Sequence, residues 1–204
     1  MNSYKKYSLL VLLLSFASIQ VQSKWSNHRP FRWFKNRRYK KNRSLLTEVR
    51  NHATAQNIVT LIKDGADVNY QNRAGLTALH FAVARNNFDV AKALLENGAN
   101  PNIKDTMSGL TPIFYALNNQ KMLNLLLEHK ADSNIQNNIG QTPLIIAVVR
   151  NYTEAVKLLV KHNADVTLKD SADKTALDYA TKKRNQTMIN MLNQQGLKNL
   201  IDQN

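Results

Sequence analysis

Gly75-Leu76-Thr77-Ala78-Leu79-His80 returns as Gly109-Leu110-Thr111-Pro112-Ile113-Phe114 and again as Gly140-Gln141-Thr142-Pro143-Leu144-Ile145. A fourth copy, Lys174-Thr175-Ala176-Leu177-Asp178, lacks the glycine. A second register falls at Gly65, Gly98, Lys130, Asn163 and Gly196. After it come Ala66-Asp67-Val68-Asn69, Ala99-Asn100-Pro101-Asn102, Ala131-Asp132-Ser133-Asn134 and Ala164-Asp165-Val166-Thr167. Both registers step by 31 to 34 residues. Self-similarity at that period marks stacked modules, each too small to bury its apolar face alone.

Each recurring residue has a physical reason to be there. Thr77, Thr111, Thr142 and Thr175 stand where a hydroxyl can cap a helix amino terminus. Pro112 and Pro143 follow at the first helical position, where a missing N–H costs nothing. Gly75, Gly109 and Gly140 suit a turn of positive φ, and Gly65, Gly98 and Gly196, with Asn163 as a substitute, suit the left-handed residue that ends a helix. Between the registers run two short apolar-patterned segments per module: 78–84 and 88–96 in the second, 143–149 and 153–161 in the fourth. Isolated helices of fewer than about 12 residues do not persist in water, so the stack must be the folding unit.

These residues together resemble the ankyrin repeat family, over roughly residues 45–196, and the chain is similar to the ankyrin repeat proteins of host-associated bacteria. The resemblance implies a mostly α solenoid of about five helix–turn–helix units joined by β-hairpin fingers. The expected modules are 45–74 as an amino-terminal cap, 75–108, 109–139, 140–173, and 174–196 as a carboxyl-terminal cap, followed by a tail at 197–204. The third module is two residues short between its helices, around Asn118-Asn119-Gln120, which predicts a tighter connecting loop. The fingers before Gly109 and Lys174 read as one residue longer than the one before Gly75.

Catalytic constellations are missing. The chain has no cysteine, which excludes a thiol nucleophile, a disulfide framework and Cys-ligated zinc. His28, His52, His80, His129 and His162 show no metal-ligand spacing, and no glycine-rich loop precedes a Lys-Ser or Lys-Thr pair. His129 and His162 fall at helix carboxyl ends, where imidazole suits the dipole. His80 sits where the resemblance implies a structural imidazole that steadies the helix start. Asp105, Asp170 and Asp173 read as solvated turn carboxylates. No enzyme, no cofactor and no metal is expected. The triplets opening at Asn42, Asn151 and Asn185 fit the glycosylation pattern, as an Asn-rich chain does by chance.

The formal charge of +14 is unevenly placed. Eleven of the 28 Lys and Arg precede residue 44, whereas all 14 acids follow it, the first being Glu48. The high pI therefore belongs to the amino-terminal segment. There Lys5 and Lys6 lead into an apolar run from Leu9 to Ile19, with a cut expected after Ser23; this reads as a secretory signal peptide over residues 1–23, the destination being secreted or periplasmic. The alternative is a short anchor with the repeats in the cytoplasm, because the cations just beyond the apolar run resist translocation. Residues 24–44 form a basic aromatic arm, expected to be disordered: Trp25, Arg29, Arg32, Trp33, Lys35, Arg37, Arg38, Lys40, Lys41 and Arg43 offer a surface for anionic lipid or another anion.

What is left is recognition. The resemblance implies a concave surface of finger tips and first helices that binds another protein. Mapped by position, it offers Arg73, Arg85, Lys104, Met107, Asn119, Asn138, Ile139, Arg150 and Lys169. The leading expectation is an exported, monomeric, non-enzymatic scaffold for a protein partner. Two alternatives stay open: an adaptor held to anionic membrane by the arm, and nucleic-acid binding through it, which ranks last because an exported chain seldom meets its own nucleic acid.

Overall fold

The computed structural model describes residues 30–51 and 54–201, with side chains for 38–51 and 54–194. The chain divides into two compact units, Met1–Lys40 and Lys41–Asn204. The signal-like segment, Trp25, His28, Arg29 and His52 lie outside the described residues. Helix α1 (Pro30–Arg50) opens on a proline and runs through the boundary expected near residue 44. The arm expected to be disordered is thus helical from Pro30. Arg and Lys are good helix formers, and Asn42, Leu45, Leu46 and Val49 are buried, which anchors the end of the helix.

In the second unit, α2 (Ala55–Lys63) is followed by four helix pairs: α3 (Ala78–Ala84) with α4 (Phe88–Glu96), α5 (Pro112–Tyr115) with α6 (Gln120–Glu128), α7 (Pro143–Val149) with α8 (Thr153–Lys161), and α9 (Ala176–Lys182) with α10 (Gln186–Ile201). The helices of modules two and four begin and end at the residues the sequence predicts. First helices pack on first helices, α3 on α5, α5 on α7 and α7 on α9. Second helices do likewise, α2 on α4, α6 on α8 and α8 on α10. The shared spine includes Ile58, Leu79, Leu94, Leu123, Leu144 and Leu159, all fully buried. Each such side chain contributes about 1.5–3 kcal/mol.

Capping follows the sequence with one exception. The hydroxyls of Thr77, Thr142 and Thr175 accept from the N–H of His80, Ile145 and Asp178. Thr111 does not cap: its Oγ1 is buried without a partner. The Phe114 N–H bonds the Thr111 carbonyl instead, at 3.1 Å, because α5 starts as a tight i to i+3 turn. That helix has four residues against seven in its counterparts. So the two missing residues come out of the helix end, and the connecting loop is not the shorter one. The loops after α3, α7 and α9 each contain a positive-φ residue (Asn86, Asn151, Arg184), and the loop after α5 contains none.

The fingers also differ from expectation. Among the described residues there is no strand. Each finger is a turn joined to the next by a single backbone bond: Thr106 N–H to Ala74 O, Asn138 N–H to Ser108 O, and Ser171 N–H to Ile139 O, at 3.0–3.1 Å. One bond per junction does not make a ladder. Gly140 shows why glycine stands at the turn: φ is +74°, and a Cβ there would lie 2.8 Å from the Ser171 nitrogen. In the last finger Asp173, at φ +58°, takes the glycine position. Aligned on Asp173, that finger has the ordinary length, and only the one before Gly109 is longer. Gly196 does not end a helix, since α10 continues past it. No Ala-Asp-x-Asn follows it to turn the chain, and glycine alone costs a helix only about 0.5–1 kcal/mol.

Candidate protein-binding face

Asx residues at the base of each finger set the tips. Oδ1 of Asn72 accepts from the N–H of Ala74 and Leu76, and Oδ1 of Asn137 from Ile139 and Gln141, at 2.9–3.1 Å. Asp105 does the same for Met107, Ser108 and Gly109, and Asp170 for Ala172 and Lys174. Asp105 and Asp170 are 7% and 9% exposed, so these are buried turn-holders and not the solvated carboxylates expected. Burial pushes the Asp170 carboxyl up, but the Tyr179 hydroxyl at 2.6 Å, the Lys174 and Ala172 N–H groups and the Gln141 side chain outweigh it and hold it below its ordinary value. Asp173 alone is exposed, paired with Lys169 at 3.0 Å.

Asparagines then tie module to module. Asn69 donates to Gly98 O and accepts from Asn100 N–H; Asn102 repeats this with Lys130 and Asp132. Asn134 accepts from Asp165 N–H, and Asn42 of α1 from Asp67 N–H. Sequence reading quoted the Asn positions of the second register without giving them a task. Their recurrence one module apart was the available signal. Asn42, being buried, cannot carry a glycan in this fold, and Asn185 is occupied as the cap of α10, accepting from Met188 N–H.

His80 is structural, as its position implies. Its Nδ1 accepts from Thr77 N–H at 3.1 Å, and Nε2 lies 3.3 Å from Leu110 O in the next module. A neutral ring with its proton on Nε2 satisfies both. Burial pulls its pKa below the usual 6.5, against the Leu110 carbonyl and the Asp105 charge, which favour protonation. The folded chain therefore takes up this proton less readily than the unfolded one. Stability is full above pH 6.5 and falls as pH drops below it. The expected result is that His80→Gln flattens this acid slope in urea unfolding followed between pH 7 and 5; an unchanged slope would assign it elsewhere.

The residues predicted for partner binding separate into two groups. Arg73, Lys104, Met107, Asn138, Ile139 and Lys169 are exposed on the fingers. Met107 is 79% and Ile139 57% exposed, the highest values for large hydrophobic side chains among the described residues. Their tips adjoin, because Asn138 Nδ2 donates to Met107 O at 3.2 Å. Arg85 and Arg150 are exposed carboxyl caps of α3 and α7. Asn119 is half-buried as the amino cap of α6, accepting from Met122 N–H and donating to Asn86 Oδ1.

On α1, Arg38, Lys40 and Arg43 are exposed, while Lys41 is half-buried and donates to Asp64 O. Arg32, Trp33, Lys35 and Arg37 lie in the part of α1 described by backbone alone. Among the described residues no group of His, Asp and Glu could hold a metal ion, and no helix is long and apolar enough to cross a membrane.

Stacked helix pairs, Asx-held turns, an asparagine tie between modules and exposed tips define a repeat scaffold. The model of the family described as ankyrin repeats (3 copies) matches residues 49–137 and 122–202, and the chain belongs to the ankyrin repeat family. It is 35% identical over 141 residues to the fowlpox virus ankyrin repeat protein FPV031, covering 65% of this chain and 41% of that one. It is 35% identical to the Xenopus laevis neurogenic locus notch homolog protein 1 over 68% of this chain and 6% of that one. The figures for the mouse B-cell lymphoma 3 protein homolog are 35%, 58% and 27%. The chain thus spans less than half the length of each. Ankyrin repeats generally mediate protein–protein contact and are typically not enzymes.

Proposed function

We propose that the chain is a non-enzymatic scaffold that binds a partner protein across its finger tips and first helices. The observation that carries this reading is the pair Met107 and Ile139, two exposed apolar side chains on tips joined by backbone and side-chain hydrogen bonds. Apolar anchors on a rigid base, rimmed by arginine, are what dominates affinity at protein interfaces. Arg73 stands on the preceding finger, and Arg85 and Arg150 close the first helices. The Asx turns of Asp105 and Asn137 hold these two tips in advance, which lowers the ordering cost of association. Export directed by residues 1–23 belongs to the same proposal and rests on the sequence pattern alone.

A second reading, docking of α1 on anionic lipid, is supported by exposed Arg38, Lys40 and Arg43 on a helix with no acid before Glu48. It ranks second because Lys41 is committed to the Asp64 carbonyl.

Site-specific photocrosslinking in the cells that make the protein tests the first reading. A benzophenone amino acid at position 107 or 139 should give a discrete protein adduct, and one at Lys157, exposed on α8, should give none. Adducts formed only from position 157 would move the interface to the second helices.

A further inference from the structure

The two-residue shortfall in module three leaves a groove. Counted from Thr111, α5 ends before the residues that correspond to Ala84 and Arg85 in module two. A cavity of about 250 Å³ lies beside that gap, bounded by Leu110, Phe114, Tyr115 and Leu117 on one side and Ile146 and Arg150 on the other. It is smaller than the roughly 300–1,000 Å³ of a small-molecule site, and so suits one or two side chains. Its wall is pre-set: Phe114 and Leu117 are buried, and the Tyr115 hydroxyl is directed to Asp105 at 3.4 Å.

Charge sets the class of occupant. Arg150 is the one charged residue of the lining and has no ion-pair partner among the described residues. The four connections that follow the first helices carry Arg85, Arg150, Lys183 and Arg184 and no carboxylate. A purely polar anion would leave the apolar wall wet, and an uncharged apolar group would leave the Arg150 guanidinium unused. We propose that this groove seats an apolar or aromatic side chain of an acidic peptide segment in the partner, with a flanking carboxylate on Arg150. The inference rests on the scaffold reading and assigns its ligand chemistry; the first helices of modules two, four and five keep their full seven residues.

The test uses the full chain and five-residue peptides of the form Glu-Glu-X-Glu-Glu and Lys-Lys-X-Lys-Lys, where X is Phe, Leu or Ser, with affinity read by fluorescence anisotropy. Glu-flanked Phe or Leu should bind, and the Ser peptide should bind about tenfold more weakly or worse. Arg150→Glu should abolish this binding and turn the preference toward the Lys-flanked set. Insertion of Ala-Arg after Leu117, which restores the ordinary length, should also abolish it. Arg150 is exposed and outside the core, so its charge reversal remains readable even if the insertion does not fold. Equal binding of Ser and Phe peptides, binding indifferent to both variants, or no binding by any peptide overturns the proposal. Should a Met107→Ser/Ile139→Ser chain lose the crosslinked partner while Arg150→Glu keeps it, the scaffold reading stands and the groove falls.

Discussion

Leu123→Ala lowers the free energy of unfolding by about 2–5 kcal/mol, the usual cost of deleting a buried isobutyl group and leaving a cavity. Leu123 is fully buried in α6, the second helix of the third of the five modules. Domains of this size are stable by only about 5–15 kcal/mol, so one such loss is a large fraction of the total. In a stack whose modules contact only their neighbours, weakening the middle also uncouples the two ends. Urea unfolding followed by far-ultraviolet circular dichroism should show a lower midpoint and a broadened or split transition. Lys157→Ala, which removes an exposed pair with Glu154, should change stability by less than about 1 kcal/mol. Equal effects of the two substitutions would mean that α6 does not belong to a shared core.

The sequence read well wherever a residue acts on its immediate neighbours. Thr77, Thr142 and Thr175 reach an N–H three residues on, and Gly75, Gly109 and Gly140 answer to their own φ; both are local demands written in local sequence. Asp173 escaped because an aspartate can occupy the left-handed region at modest cost, and aligning Lys174 with the glycines shifted the last finger by one. Thr111 escaped for a different reason. The length deficit of module three was countable, but whether helix or loop would absorb it depended on how α5 packs between α3 and α7.

In the sequence Asp105 and Asp170 look like solvated turn carboxylates, because a turn carboxylate usually is solvated. Their burial comes from the neighbouring module, with Tyr179 closing over Asp170 and Tyr115 over Asp105. An Asx three or four residues before every turn-forming glycine or its substitute was the sign that could have revealed them. The tips were legible by position, whereas the groove needed coordinates, since it consists of space that absent residues would have filled.

The most direct measurement of the central claim is the affinity of the protein crosslinked from the tips for a chain carrying Met107→Ser and Ile139→Ser together. Both side chains already lie in water, so the fold should be unchanged, with the same helix content and melting behaviour as the parent. If they are the anchors, their loss should cost about 2 kcal/mol or more, roughly thirtyfold in Kd. A Kd within about threefold of the parent, with binding lost instead on changing exposed second-helix residues such as Lys157, would contradict the account.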